Sequence, residues 1–380
     1  MELLPLDGTF VPTKIYESYS SLIWTERYSQ YGDFELVSSD IANCIASFPR
    51  ESYVAIREST VPMVVEDHQI INKPNEAPAV KITGRSFDSV LDRRGSVNSL
   101  PSAAARASWT ITAAKESDAA YKAMRVVMGD VARLRTDNSQ PLASEVALGT
   151  TVLPAISPAV DFRDAIPEIN LVLPKDYSSL TPNSYEIEAN DLYTAVTNLL
   201  KINGHGLKAT RPDVVTQPGK TTVDLEIYNG ADLTSIVSFD ARFDQFDSST
   251  YLFTEQTSKN VGYIYGPNGS NKVLKTAATE PTGLGRRVLL VDETGDDTLN
   301  SSTIRTSRGL IELYKNNAIA LFDGEVAAQV AKQYNQTYFL GDIILLVGEY
   351  NLSNAVRVAE FIRSSDASGE KAYPTFEVVA

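Results

Sequence analysis

Histidine, cysteine and tryptophan are nearly missing from this chain: its 380 residues hold two, one and two of them. The single cysteine, Cys44, excludes an internal disulfide. A chain of this length can build two to three domains with cores of their own and needs no such staple, and one thiol suits a reducing compartment. No basic residue stands near Cys44 to activate it, so it reads as a small buried side chain. With only His68 and His205, histidine-based metal or triad chemistry has little material, and no serine sits in a G-x-S-x-G context. No apolar run approaches the roughly 18 residues that span a bilayer, and the opening "MELLPLDGTFVPTK" lacks a basic region followed by an apolar one. Neither signal-peptide secretion nor membrane insertion is expected. Basic residues are the minority charge, 34 against 48 acidic ones for a net −14, which argues against a sequence-independent grip on nucleic-acid phosphates.

What is abundant is tyrosine, 18 of them, many on alternating segments, which points to a β-rich class. "WTERYSQYGDFELVSSD" (24–40) reads as a hairpin: Leu22, Trp24, Glu26 and Tyr28 share one side, Phe34 and Leu36 follow after Gly32, and Ser29 to Asp33 is the connection. Gly32 is expected there for its access to positive φ. "SYVAIRES", "PMVVEDHQII" and "AVKITG" extend this into a meander over the first ninety residues. "SFDSVLDRR" (86–94) predicts a short helix with Ser86 as cap, Asp88 in the first turn and Arg93 and Arg94 in the last, matching the helix dipole. A Ser/Ala/Pro stretch (95–108) marks a boundary. Ala120, Met124, Val127, Val131 and Leu134 predict one face of a helix over 113–135, and Asn190 to Gly204 brackets another. Residues 158–177 read as extended or irregular. The second half alternates again, with a turn at Pro267–Asn271, a helix turning to strand over 301–326, and two long strands, a loop and a final strand at the end. The domain expectation is 1–95, 96–205 and 206–380, the last including strands that return to the first.

Three motifs invite chemistry. "PGKTT" (218–222) resembles the end of a phosphate-binding loop, but the earlier glycine is replaced by Val214 and a strand pattern follows where a helix is required, so a hairpin turn is the better reading. "DETGDD" (292–297) offers oxygen ligands without the spacing of a calcium loop and reads as a solvated acidic turn. Paired carboxylates for hydrolysis need a fixed separation and a raised pKa, neither legible in sequence.

Several pieces nevertheless occur in a familiar order: "LIWTERYSQYGDFEL" (22–36), "KITGRSFDSVLDRR" (81–94), "NVGYIYG" (260–266), "GLGRRVLLVD" (283–292), "YFLGDIILLV" (338–347) and "RVAEFIRSSDASGEKAYPTFE" (357–377). Over nearly the full length the chain resembles the minor tail proteins of long-tailed siphophages, the baseplate or tail-tip hub family. Two departures stand out: "FDARFDQFDSSTYLF" (239–253) lacks a Gly-Asn expected near its middle, and "VPMVVED" is an odd version of a meander turn. The resemblance implies an α+β, β-rich fold with two β-barrel-like hub domains and α/β insertion domains. It further implies a homotrimeric ring at the distal tail end, with no catalytic residue, metal or cofactor. The implied partners are further copies of the chain, a distal tail or tail tube protein, a tape measure protein and receptor-binding or fibre proteins, with DNA only in transit. Interface candidates within the matching pieces are Trp24, Arg27, Phe34, Arg85, Arg93, Arg94, Arg286, Arg287, Gly341 and Asp342. Trp24 is expected to fill a barrel core and Arg27 to face a neighbour. The competing functions are a tail-associated cell-wall hydrolase and a carbohydrate-binding receptor module.

Overall fold

A computed structural model describes residues 1–74, 77–96, 109–128, 166–187, 190–213, 215–243, 250–254, 256–266, 269, 271–275, 279, 281–292, 305–306, 309–310, 312–313, 316, 319–323, 334–347 and 353–379. The expected meander is present. It comprises β1 (Leu3–Leu6), β2 (Ser21–Arg27), β3 (Asp33–Ser38), the helix α1 (Ile41–Ser47), β4 (Tyr53–Ile56), β5 (Met63–Ile71) and β6 (Ala79–Ser86). β2 and β3 pair antiparallel with Trp24 opposite Phe34, their rings 5.9 Å apart. Gly32 does not take positive φ. It is needed for a different reason: a Cβ there would collide with the Thr25 carbonyl, so the connection folds back against its own strand.

Alternation along β1, β4 and β5 feeds two cores at once. Leu3, Val54, Ile56, Met63 and Val65 join Trp24, Phe34, Leu36, Val80 and Ile82 under α1, which contributes Cys44. Leu4, Leu6, Ala55 and Val64 turn the other way, into a core built with the helices described next. β1, β4 and the start of β5 are therefore buried on both faces and apolar at successive positions, whereas β3 and β6 alternate buried with half-exposed residues.

The helix-containing part holds β7 (Trp109–Ala113), α2 (Glu116–Met128), β8 (Ile169–Leu171), β9 (Asn183–Ile187), α3 (Leu192–Ile202), β10 (Gly206–Thr210) and β11 (Val223–Tyr228). Ala120, Met124 and Val127 of α2 are buried as their spacing predicts; Val131, Leu134 and most of the 95–108 boundary lie outside the described residues. Ala113, where the expected helix begins, is instead the last residue of β7, which pairs with β9, and α2 starts at Glu116. The N-cap of α3 is Asp191, one residue after the expected Asn190: Asp191 has extended backbone and its carboxylate accepts the Thr194 N–H at 2.7 Å, while Asn190 accepts the Asp191 N–H. Gly204 ends the helix at φ +66 as expected.

The remaining strands are β12 (Ser238–Asp240), β13 (Thr250–Thr254), β14 (Val261–Tyr265), β15 (Asn271–Lys275), β16 (Val288–Asp292), β17 (Ile319–Asp323), β18 (Ile343–Val347), β19 (Ser353–Asp366) and β20 (Gly369–Val378). β14 and β15 pair antiparallel across the turn expected at Pro267–Asn271. Most of the helix expected early in 301–326 falls outside the described residues, whereas strand character at its end appears as β17.

A 12-stranded sheet runs β1-β4-β5-β6-β3-β2-β19-β20-β17-β13, with β18 on β19 and β12 on β18. The 14-residue β19 is its tie: its first part pairs with β18, its second with β2, and β20 accompanies it throughout. The hand-over falls at a register shift between Val358 and Glu360, and the carbonyl of the intervening Ala359 accepts the Tyr28 N–H at 2.8 Å. The fold is α+β and β-rich, and its carboxy-terminal strands complete the sheet begun at the amino terminus.

Candidate functional site at the junction of three chain segments

Most of the expected interface residues are engaged within the chain. Trp24 and Phe34 are core residues, 0% and 1% exposed. Arg27 does not wait for a neighbour: its Nε donates to Glu360 at 2.6 Å and its Nη1 pairs with Asp33, so it locks β2 to β19. Arg85 forks onto Glu66 at 2.7 and 2.6 Å, pairs with Asp92, and lies over the Tyr31 ring at 4.8 Å. Arg93 joins this network through Glu51 and Glu66, and Arg94 donates to the Arg93 carbonyl. Arg286 and Arg287 belong to the separate β15-β14-β16 sheet, held by Tyr263 and Ser258 at 2.8 and 2.7 Å. Arg27 and Asp342 line one cleft, with Gly341 in the turn beside it.

That cleft has a volume of about 310 Å³. Its walls come from the meander (Glu26, Arg27, Gly32, Ser86, Asp88), from β10, β11 and the residues after them, and from 334–342. Gly341, at φ +91, lets the chain turn under Tyr28; a Cβ there would collide with that ring, and one on Gly230 would strike the Gly341 carbonyl. Asp342 fixes the turn by accepting the Ala231 and Phe339 N–H groups, each at 2.8 Å. Tyr28 is the peg. Its hydroxyl donates to the Gly204 and Tyr228 carbonyls at 2.8 and 3.2 Å, and Arg357 lies 4.9 Å over its ring while donating to the Gly341 carbonyl.

Behind the peg, Glu26 and Arg363 form a buried ion pair at 2.8 Å, each side chain 8% exposed. Arg363 also covers Phe361, which stacks on Tyr334 at 3.7 Å. Asp88 is different. It is 4% exposed, and burial pushes its carboxyl up to about 6, against the Ser86 hydrogen bond, its own N–H and Arg85, which all pull it down. Burial likewise raises the Tyr228 phenol well above its ordinary value, and its hydroxyl has no hydrogen-bond partner.

Asp88 does lie in the first turn of the expected short helix, but 87–93 is a 3-10 helix and the Ser86 hydroxyl donates to Asp88 instead of capping a helix N–H. Sequence reading passed over Tyr228, Arg357, Arg363 and Tyr334. Tyr28 was legible only as a buried position by alternation. No local signal marks the others, because the cleft joins residues more than 200 positions apart.

The remaining chemical candidates stay apart. His68 Nε2 lies 2.7 Å from the Phe48 carbonyl, and burial lowers the pKa of His205. Burial raises that of Cys44. Lys220 of "PGKTT" pairs with Asp224 beside the turn that enters β11. All of "DETGDD" after Asp292 lies outside the described residues. Among the described residues, no group of three or more His, Cys, Asp or Glu is placed to hold a metal ion, and no helix is long and apolar enough to cross a membrane.

The model of the Siphovirus ReqiPepy6 Gp37-like protein family matches residues 2–376. The chain belongs to that family. No curated protein matches this siphovirus Gp37-like sequence. Its fold is similar to the 43 kDa tail protein of prophage MuSo2 from Shewanella oneidensis, at 11% identity and TM-score 0.55, covering 100% of this chain and 98% of that one. A tail protein from Neisseria meningitidis MC58 gives 10% identity and TM-score 0.54, with 99% and 96% covered. Prophage tail protein gp18 from Listeria monocytogenes EGD-e gives 12% and 0.51, with 100% and 94% covered. At such identities the likeness is one of fold: this Gp37-like protein is a siphovirus protein with the fold of phage tail proteins.

Proposed function

We propose that this Gp37-like protein is a structural, non-enzymatic component of the virion: the hub at the distal end of a long non-contractile tail. Three copies form a ring that joins the tail tube to receptor-binding or wall-penetrating parts and lets DNA pass. The observation that carries this reading is the match in fold, over 94% or more of both chains, to three tail proteins, two of them from prophages. The shared strand β19 supports it, since a ring subunit must transmit load across its length, and one continuous ladder from β1 to β20 provides a path that no linker interrupts. The net charge of −14 agrees with a wall past which DNA moves without being held. Partners in this reading are other copies, a distal tail or tube protein, the tape measure protein and fibre proteins.

Electron microscopy of intact particles decorated with antibody against residues 1–95 tests the position. Label confined to the distal tail end is expected. Particles without label, with the protein free in the lysate, refute the reading, and three-fold averaging of the labelled tip checks the trimer.

A further inference from the structure

The junction cleft contains a buried hydroxyl that the chain leaves without a hydrogen-bond partner and a buried carboxylate that it leaves without a cation. Glu26 is answered by Arg363, Arg27 by Asp33 and Glu360, and Asp342 by two backbone N–H groups. Lys208, opposite Glu226 in the β10–β11 register, is a half-buried residue of the cleft wall, and Glu226 itself lies 3.7 Å from Lys175. Asp88 receives a side-chain hydrogen bond only from Ser86, and no cation among the described residues lies within ion-pair distance of it; Arg85, the nearest positive influence, is occupied by Glu66 and Asp92. The Tyr228 hydroxyl, fully buried, bonds to nothing. Both residues line the same cleft. A buried carboxylate without a cation is costly to keep, and so is a buried hydroxyl without a partner.

The remaining walls suit a narrow guest. The buried Val61 and Leu207 and the half-exposed Phe339 supply apolar surface, and Asn229 and Asn335 on the same lining are exposed. An apolar slot ending in an unpaired carboxylate and a free hydroxyl matches a flexible aliphatic stem that carries a cationic head.

We propose that this cleft is a receptor for one basic side chain, a lysine or arginine presented by an extended segment of a neighbouring protein chain. The stem lies along Leu207 and Phe339, and the head group donates to the Asp88 carboxylate and to the Tyr228 hydroxyl oxygen. Because the floor is built from the meander, from β11 and from the 334–342 segment together, an occupant also clamps the three against one another.

The test uses the isolated chain and does not depend on the tail assignment. Amide resonances of the isotope-labelled protein are followed while acetyl-Gly-Arg-Gly-amide is added, with the lysine peptide in parallel and the uncharged citrulline peptide as control. Saturable shifts at Ser86–Asp88 and Gly230–Ala231 are expected with the basic peptides. The citrulline peptide is expected to bind roughly tenfold more weakly or less, the size of one charge-assisted hydrogen bond. Asp88→Asn keeps the side-chain volume and should cost a similar factor; Tyr228→Phe should cost less. Equal binding of arginine and citrulline peptides, unchanged affinity in Asp88→Asn, or no shifts at these amides would each overturn the proposal and leave a cleft filled by water.

Discussion

Asp88→Asn also gives the sharpest test of the energetics. The carboxyl titrates near 6 in the folded chain, against an ordinary value of 3.8 when exposed, because burial penalises its charge. Its folded pKa is raised, so between about pH 4 and pH 6 the native state holds a proton that the unfolded state has released. Stability then falls with rising pH by about 1.4 kcal/mol for each pH unit in that window. At pH 7 and above the accumulated cost is about 3 kcal/mol, an order-of-magnitude figure. The substitution removes that cost. The amide oxygen of the new side chain still accepts the Ser86 hydroxyl, and Ser86 still accepts the Gly32 N–H at 2.7 Å, so local packing is kept. Urea unfolding of both proteins from pH 4 to pH 8 is the assay. The two curves should converge near pH 4 and separate progressively, with Asp88→Asn more stable by about 2–3 kcal/mol above pH 6.5. A difference independent of pH, or a less stable variant at pH 7.5, would refute the account of an uncompensated buried charge.

Removing one partner of the buried Glu26–Arg363 pair, as in Arg363→Met, should cost about 3–5 kcal/mol, and adding Glu26→Gln should recover part of it, which a double-mutant cycle in denaturant reads. Trp24→Ala should cost about 3–5 kcal/mol, whereas Trp24→Phe should cost clearly less, because the buried indole N–H has no acceptor to lose. Gly341→Ala combines a left-handed backbone with a collision against Tyr28; calorimetry should show destabilisation of about 3 kcal/mol or more, with amide exchange rising at 204–206, 228–231 and 341–342 before the Trp24 core. Cys44, buried and with its thiol pushed up, should resist alkylation in the native protein and react on unfolding.

Local chemistry determined much of this protein by itself. The alternation of Leu22, Trp24 and Tyr28 with Phe34 and Leu36 fixes a hairpin, the apolar spacing of Ala120, Met124 and Val127 fixes a helix face, and Gly204 ends α3, since each depends on neighbours within a few residues. The order of these pieces also carried the family. Only the tertiary structure decided what their polar side chains do. Arg27 looked outward from its strand, yet Glu360 arrives beside it from 333 residues away. Asp88 looked like a helix-start acid, yet it is 4% exposed, on the wall of a cleft whose other residues come from β10, β11 and 334–342. Burial and electrostatics depend on what comes to lie within a few ångströms, and in a sheet whose last strands complete its first, those neighbours come from the far end of the chain.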